Sequence, residues 1–197
     1  MLLYDSALSG NCYKVRLTFH KLGVQYERRE LSVFDRSDRP EVLGELNPAL
    51  RVPTVVFDDG RTLAESDAII FHFAEGTSLL PDDAFARAQV LQWLFFEQYD
   101  HEPNIAVARF WAHADIHPTD AEREAKRRGG TKALDAMERH LGRRTYFVGD
   151  TLTVADIALF AYTHVAPEGG FSLEPYPAIQ AWLARVEAEP DHIGIGD

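Results

Sequence analysis

The sequence predicts a two-part fold, with an α/β N-terminal half and an all-helical C-terminal half. In the N-terminal half, strand-like and helix-like segments follow the order βαβ, α, ββα, which is typical of a small mixed sheet with helices packed against it. The clearest turn, Asp59-Gly60, lies between two apolar runs and is typical of a β-hairpin. Beyond a linker at residues 77–85, every segment has helical spacing. We therefore expect an α/β domain at residues 1–76 and an all-helical domain at residues 86–197.

Each element of the N-terminal half has its own signal. The strand "MLLYD" precedes a helix in which Val15, Phe19 and Leu22 have helical spacing. "VQYERREL" alternates like a second strand, and "RPEVLGELNP" is a short helix that ends at its Asn-Pro pair. "VPTVVF" and "RTLA" are the hairpin strands. "SDAIIFHFAEG" is a helix capped by Ser66 and ended by Gly76.

The C-terminal half begins with a long aromatic-rich helical segment at residues 85–113, in which Pro103 predicts a kink. In the next helix, Gly129 and Gly130 would cost about 1 kcal/mol each, so we expect a bend or a break there. "LTVADIALF" begins with a capping box, and "YPAIQAWLARVEAEP" is the last helix. We expect the tail "HIGIGD" to be loosely held.

Charge and composition exclude several classes of function. The formal net charge of -11 argues against nucleic acid and anionic membranes as partners. No apolar run approaches the ~20 residues that span a bilayer, and the N-terminus lacks the basic start of a signal peptide. A single cysteine cannot form an internal disulfide or a thiolate zinc site, which favours a cytoplasmic setting. The eight histidines lack the spacing of a metal motif, so we expect no metal.

The segment Arg51-Val52-Pro53 lies directly before an apolar strand. A proline at this point cannot donate to the β-ladder. If its peptide bond is cis, the backbone of the preceding residue is presented to a ligand; an ordinary trans proline at a strand start is the alternative.

The segment Glu65-Ser66-Asp67 lies where a strand meets a helix. The N–H groups at a helix N-terminus bind carboxylates, and the Ser66 hydroxyl can do the same. Glu65 and Asp67 suit an ammonium group, so the three residues together match the head group of an α-amino acid. A plain serine cap with acidic neighbours that complement the helix dipole is the alternative.

The segment "SGNCYKVRL" places Ser9, Asn11 and Cys12 at the start of the first helix. Side-chain donors and backbone N–H groups at this point stabilise a thiolate, whether it belongs to the protein or to a ligand. One hydrogen bond to a charged sulfur contributes about 1.5–3 kcal/mol, enough to lower a thiol pKa by about two units. The alternatives are Ser9 as an ordinary cap and Cys12 as a small buried side chain.

Taken in order over the whole chain, these motifs resemble those of the cytosolic glutathione S-transferases. "SGNCYKVRL" resembles the start of the first helix in the serine-type, zeta- and nu-like bacterial classes, although the usual Ser-Ser-Cys is Ser-Gly-Asn here. "NPALRVPTVV" resembles the family's Asn-Pro-x-x-x-Val-Pro segment with its cis-proline. "LAESDAI" resembles its Glu/Gln-Ser motif, and "LTVADIALF" its capping box. The resemblance implies a thioredoxin-like N-terminal domain and a helical C-terminal domain.

The resemblance also implies a role for each matching residue in binding glutathione, the co-substrate. Ser9 would donate to the glutathione sulfur, with Asn11 as the second donor. The other binding residues would be Arg51 for the glycyl end, Val52 and the cis-proline Pro53 for the cysteinyl backbone, and Glu65 and Ser66 for the γ-glutamyl group.

Further roles would fall on the long aromatic segment. In a homodimer, an acidic residue there, Glu97 or Asp100, would complete the γ-glutamyl site across the interface. The electrophile pocket would lie between the two halves. Its candidate residues are Tyr99, His101, Phe110 and Trp111.

The resemblance therefore implies a glutathione transferase that activates the glutathione thiolate for attack on a small hydrophobic electrophile, in detoxification. Three alternatives stay open. Cys12 could be the nucleophile of a glutathione-dependent disulfide reductase. The chain could be an isomerase or dehalogenase that regenerates glutathione, or a non-catalytic glutathione-binding module.

Overall fold

The computed structural model describes all residues from Met1 to Asp197, and they form two compact units. The first unit contains Met1–Glu75 together with Pro190–Asp197, and the second contains Gly76–Glu189. No helix of either unit is long and apolar enough to cross a membrane.

The first unit is a four-stranded mixed sheet with three helices. Its elements in chain order are β1 (Leu2–Asp5), α1 (Gly10–Lys21), β2 (Glu27–Glu30), α2 (Arg39–Leu43), β3 (Thr54–Val56), β4 (Thr62–Ala64) and α3 (Ser66–Ala74). The strand order is β2-β1-β3-β4, with β1 parallel to β2 and antiparallel to β3, and β3 antiparallel to β4. The predicted order of elements is confirmed.

Burial follows position in this sheet. Leu3 of β1 pairs with Val55 of β3, and both side chains are fully buried. The edge strand β2 is exposed along its whole length and carries only charged residues, which protect its open side from pairing with another chain. The helix α1 packs against α3, and its residues from Cys12 to Phe19 are all buried.

The second unit is helical. Its helices are α4 (Ala84–Phe96), α5 (Glu102–His113), α6 (Asp120–Leu141), α7 (Val154–Thr163) and α8 (Pro177–Glu187). All residues of α7 are buried, so this helix forms the centre of the unit. The predicted capping box at its start is confirmed: Asp156 accepts hydrogen bonds from the Thr153 backbone N–H at 3.0 Å and from its hydroxyl at 2.9 Å.

The long aromatic segment is interrupted before the predicted kink. A π-helical turn, Glu97–His101, separates α4 from α5, and Pro103 lies in the first turn of α5. A proline is tolerated there because the first N–H groups of a helix have no intrahelical acceptor.

The predicted break at Gly129-Gly130 is wrong, since α6 runs through both glycines. A Cβ atom on Gly129 would meet the side chain of Asn104, and one on Gly130 would run into the ring of Phe171. Close packing against the Phe171 ring therefore needs glycine at position 130, and this packing outweighs the low helix propensity of glycine.

The prediction of a loosely held tail is also wrong, and this tail belongs to the first unit instead of the helical one. Side chains of α1 donate to three tail carbonyls: Tyr13 Oη to Ile193 O at 2.6 Å, Arg16 Nη2 to Ile195 O at 2.5 Å, and Lys21 Nζ to Pro190 O at 2.8 Å. Composition does not reveal these three contacts because their acceptors are backbone carbonyls.

Candidate functional site

Ser9 occupies the N-cap position of α1 with an extended backbone. Its Oγ accepts a hydrogen bond from the Cys12 N–H at 3.3 Å, and its carbonyl accepts one from the Tyr13 N–H at 2.9 Å. The cap bond uses only the acceptor capacity of the hydroxyl, so its O–H hydrogen can still be donated to a ligand. The cap role and the donor role predicted for Ser9 are therefore compatible.

The loop before Ser9 is fixed by a buried ion pair. Arg16 is almost completely buried, and its Nη1 donates to Asp5 Oδ1 at 2.8 Å. The same guanidinium reaches the loop carbonyls of Ser6 at 3.3 Å and Ala7 at 3.2 Å. Because a guanidinium is planar and its donors are fixed in direction, these bonds hold the loop that delivers Ser9. Arg16 is not among the site residues predicted from the sequence.

The start of α3 differs from the predicted serine cap. Ser66 is the first residue of the helix, and Glu65 occupies the cap position without a side-chain bond to the helix. Glu65 has φ 67° and ψ 116°, a strained conformation for a residue other than glycine. The Ser66 hydroxyl is instead 3.3 Å from Asn11 Oδ1, to which it donates. The starts of α1 and α3 are thus in contact.

A fully buried lysine supports this contact. Lys14 Nζ donates to Asp67 Oδ1 at 3.0 Å and to Ser66 Oγ at 3.4 Å. The other carboxylate oxygen of Asp67, Oδ2, is buried and has no hydrogen-bond partner in the protein. Buried acceptors are seldom left in this state, so Oδ2 is suited to a donor from a ligand. A lysine among apolar neighbours in α1 was the signal that could have identified Lys14.

The Val52–Pro53 peptide bond is cis, as the resemblance implies. The preceding carbonyl, that of Arg51, accepts hydrogen bonds from Asn47 Nδ2 at 3.0 Å and Thr54 Oγ1 at 2.8 Å. The β1–β3 ladder begins only at Thr54, so Val52 takes no part in it. Arg51 itself is exposed.

Cys12 is completely buried in α1. Burial, with a smaller contribution from the nearby Asp5 carboxylate, raises the pKa of the Cys12 thiol above its ordinary value. The thiolate is the reactive form of cysteine, so a thiol in this environment is a poor nucleophile. The structure gives no support to the alternative in which Cys12 carries the chemistry.

Two of the predicted residues in the aromatic segment are fully buried, contrary to expectation. Glu97 is fully buried and accepts a hydrogen bond from Gln98 Nε2 at 2.7 Å. His101 is also fully buried, with Nε2 2.9 Å from Thr163 Oγ1. Both lie in the π-helical turn, whose wider spacing departs from the periodicity assumed for an α-helix. Neither side chain has exposed surface for a second subunit or for a ligand.

The other residues of this group are accessible. Tyr99 is 84% exposed, and Asp100 and Phe110 are partly buried. Trp111 lines a cavity formed by residues of the helical unit. The four predicted pocket residues therefore do not share one surface within this unit. No cluster of three or more His, Cys, Asp or Glu side chains that could hold a metal ion is present.

The order of elements, the cis peptide before β3 and the polar starts of α1 and α3 define a thioredoxin-like domain, and it is followed by a helical domain. Comparisons agree with this class: the N-terminal domain model of glutathione S-transferase matches residues 3–78, and the C-terminal domain model matches residues 90–190. The chain belongs to the glutathione S-transferase family.

Individual relatives match this chain over 95% or more of its length. The crystal structure of a glutathione S-transferase from Pseudomonas fluorescens [Pf-5] is 44% identical, with a TM-score of 0.96 over 100% of this chain and 98% of that one. A glutathione S-transferase from Xanthobacter autotrophicus Py2 is also 44% identical, with a TM-score of 0.92 over 98% and 96%. The glutathione S-transferase-like protein LUC7 of a Fusarium species is 30% identical, covering 95% of this chain and 89% of its own.

Proposed function

We propose that this protein is a glutathione transferase in which Ser9 and Asn11 stabilise the thiolate of bound glutathione. The observation that carries the proposal is the hydrogen bond between Ser66 and Asn11. This bond joins the start of α1, where Ser9 lies, to the start of α3, where the Glu65-Ser66 motif lies. The chain also belongs to the glutathione S-transferase family. Both helix starts favour negative charge through their N–H groups and dipoles, which suits a thiolate at one and a carboxylate at the other.

The γ-glutamyl end of glutathione is the part that the start of α3 would bind. Its α-carboxylate would accept bonds from the first backbone N–H groups of α3, that of Ser66 included. Its ammonium group would donate to Asp67 Oδ2, the buried oxygen without a partner, with Glu65 as a second acceptor. This arrangement satisfies both charges of an amino-acid head group.

The rest of glutathione would lie along the segment before β3. The backbone of Val52, next to cis Pro53, would pair with the cysteinyl part. The exposed guanidinium of Arg51 would bind the glycyl carboxylate.

The reaction we propose is transfer of an alkyl or aryl group to sulfur. The glutathione thiol first loses its proton to water. The thiolate then forms a sulfur–carbon bond while the leaving group departs with the electron pair of the bond that breaks. Ser9 and Asn11 act by raising the fraction of thiolate near neutral pH, and no covalent enzyme intermediate is needed.

We further propose a cytoplasmic homodimer with a role in detoxification. Support for the dimer comes from three exposed aromatic side chains along α4 and the π-helical turn: Phe85 at 72%, Phe95 at 69% and Tyr99 at 84% exposure. At about 100° per residue, Phe85 and Phe95 of α4 lie about 80° apart around the helix axis, on one side of the helix. Contiguous exposed aromatic surface is typical of protein interfaces. Asp100 is the remaining candidate for a γ-glutamyl contact across that interface.

The substitution Ser9→Ala tests the proposed mechanism. With saturating glutathione and a chloronitrobenzene electrophile, we expect kcat to fall about 10-fold or more, because one hydrogen bond to the thiolate is lost. Ser78→Ala, at an exposed position in the helical unit, is the matched control and should leave kcat unchanged. A Ser9→Ala enzyme with unaltered turnover would remove Ser9 from the mechanism.

The alternatives have their own tests. Mass spectrometry after incubation with oxidised glutathione should show no adduct on Cys12, since its thiol is buried. An adduct there would favour the disulfide reductase. Tight glutathione binding without turnover of any electrophile tested would favour a binding module.

A further inference from the structure

Arg39 is a buried cation that the proposed mechanism does not use. It is the first residue of α2 and is only 3% exposed. Its Nη1 donates to the carbonyl of Leu50 at 3.0 Å and its Nη2 to that of Ser32 at 2.8 Å, while Nε is buried without a hydrogen-bond partner. One planar guanidinium therefore joins the loop after β2 to the segment before β3.

Both acceptors of this guanidinium are neutral. Taking a cation out of water costs free energy that two neutral carbonyls recover only in part. Burial, and to a smaller extent the positive charges of Arg36 and Arg51, lower the pKa of Arg39. An apolar side chain would fill this place at a lower cost, so what Arg39 supplies is a set of donors fixed in direction.

The bond to Leu50 acts on a residue with an unusual backbone conformation. Leu50 has φ 54°, in the left-handed region that residues other than glycine rarely adopt. Its N–H donates to the Asn47 carbonyl at 2.9 Å, and its own carbonyl is held by Arg39. Without the guanidinium, the backbone of Leu50 would be free to relax toward a negative φ.

The same bond fixes the direction of Arg51, the residue after Leu50. A carbonyl and the N–H of the next residue lie in one peptide plane, so Arg39 orients the plane on the N-terminal side of Arg51. The plane on its C-terminal side is oriented by Asn47 Nδ2 and Thr54 Oγ1, which donate to the Arg51 carbonyl at 3.0 and 2.8 Å. The backbone of Arg51 is thus held on both sides, while its side chain is exposed.

We infer that Arg39 is a positioning residue for the glycyl end of glutathione. Because it is buried, it does not touch the ligand; it fixes the backbone from which Arg51 reaches the glycyl carboxylate. This inference rests on the proposed function, in which Arg51 binds that carboxylate, and it gives α2 a part in recognising the third residue of the tripeptide. The site should therefore distinguish glutathione from an analogue whose glycyl carboxylate is blocked.

The test compares glutathione with its glycyl ethyl ester, in which the negative charge of the glycyl carboxylate is removed. Calorimetric titration of the full-length wild type should give a dissociation constant about 10-fold lower for glutathione than for the ester, because the ester loses a charge-assisted hydrogen bond. In Arg39→Gln, glutathione should bind about 10-fold more weakly, and binding of the ester should not change. Arg61→Gln removes an exposed cation of the same unit and is the matched control, which should bind both ligands like the wild type.

A double-mutant cycle separates positioning from a general effect on the fold. Arg51→Ala should show the same selective loss of glutathione binding. The double variant Arg39→Gln/Arg51→Ala should bind glutathione no more weakly than Arg51→Ala alone, since Arg39 acts through Arg51. Arg39→Lys keeps the charge but lacks the planar fork, so it should also show the selective loss and serves if Arg39→Gln does not fold.

The possible outcomes separate this inference from the proposed function. Equal weakening of glutathione and ester binding in the Arg39 variants would show a structural role only and overturn the inference, as would additive losses in the double variant. A wild type that binds glutathione without preferring it to the ester would overturn the inference and leave the proposed role of Ser9 untouched. A wild type that binds neither ligand would overturn the proposed function as well.

Discussion

At the scale of single residues, Lys14 connects the parts of the proposed glutathione site. Its ammonium group is fully buried and bonds Asp67 and Ser66, and Ser66 in turn bonds Asn11. The Ser66 hydroxyl accepts a hydrogen bond from Lys14 and donates its own hydrogen to Asn11 Oδ1. Because the lysine can only donate, it makes Ser66 the donor in the Ser66–Asn11 bond. That bond turns the oxygen of the Asn11 amide toward Ser66 and its donor end away from it.

Replacing this lysine tests the network. In Lys14→Met the Asp67 carboxylate loses its buried partner, and we expect glutathione to bind about 10-fold more weakly. Unfolding free energy should fall by about 3 kcal/mol or more for the same reason. Calorimetric titration and denaturant unfolding measure the two effects.

Lys132→Met, at an exposed position of α6, is the control and should change neither quantity. If Lys14→Met binds glutathione as tightly as the wild type, Lys14 has only a structural role.

At the scale of elements, the helix α6 shows packing overriding propensity. Two adjacent glycines predict a bend or a break, yet α6 is unbroken from Asp120 to Leu141. The difference lies in what each glycine touches, which is a feature of the fold and not of the local sequence. Gly130 lies against a buried ring, whereas Gly129 lies against the end of a partly buried asparagine side chain.

The two glycines are therefore expected to respond differently to alanine. Alanine favours a helix by about 1 kcal/mol. In Gly130→Ala the clash with Phe171 exceeds this gain, and we expect a net loss of about 1–2 kcal/mol of unfolding free energy. In Gly129→Ala the Asn104 side chain can move, so the change should be near zero. Denaturant unfolding of both variants measures the difference, and equal stability would show that Phe171 does not constrain α6.

At the scale of the whole molecule, residues from both ends of the sequence belong to the first unit, which contains Met1–Glu75 and Pro190–Asp197. The tail carbonyls are held by α1 side chains, and one of these, Arg16, also holds the loop that precedes Ser9. The C-terminus is therefore connected to the proposed site through one guanidinium. Loss of the tail would leave Arg16 with fewer acceptors in a buried position.

Truncation after Glu189 tests this connection. We expect unfolding free energy to fall by about 1–3 kcal/mol, because donors on α1 lose their acceptors. Thermal or denaturant unfolding measures it. Tyr13→Phe removes the hydroxyl that donates to the Ile193 carbonyl and lies 3.5 Å from His192 Nε2, and it should cost about 1 kcal/mol, which gives the scale of the tail contacts made through one side chain. A truncated chain as stable as the full one would show that the tail contacts carry no net free energy.

The features that could be predicted from the sequence are those that depend on residues close together in the chain. Periodicity and the Asp59-Gly60 turn predict the order of strands and helices, and the Thr153–Asp156 capping box is visible from spacing alone. The family's motifs also lead to Ser9 and to the cis Val52–Pro53 bond.

The remaining features depend on contacts between distant parts of the chain. Lys14 and Arg16 acquire their roles only because α1 is buried on every side, which puts their charges against Asp67 and Asp5. Glu97 is turned inward by a π-helical turn that periodicity does not predict.

The most direct test of the central claim is the pKa of the glutathione thiol when it is bound to the protein. Thiolate absorbance in the ultraviolet, followed against pH at saturating glutathione, gives this pKa for the wild type and for Ser9→Ala. One hydrogen bond to the sulfur is worth about 1.5–3 kcal/mol, so the pKa should be about 1–2 units higher in Ser9→Ala. The same thiol pKa in both proteins, with glutathione bound equally well, would contradict the claim that Ser9 stabilises the thiolate.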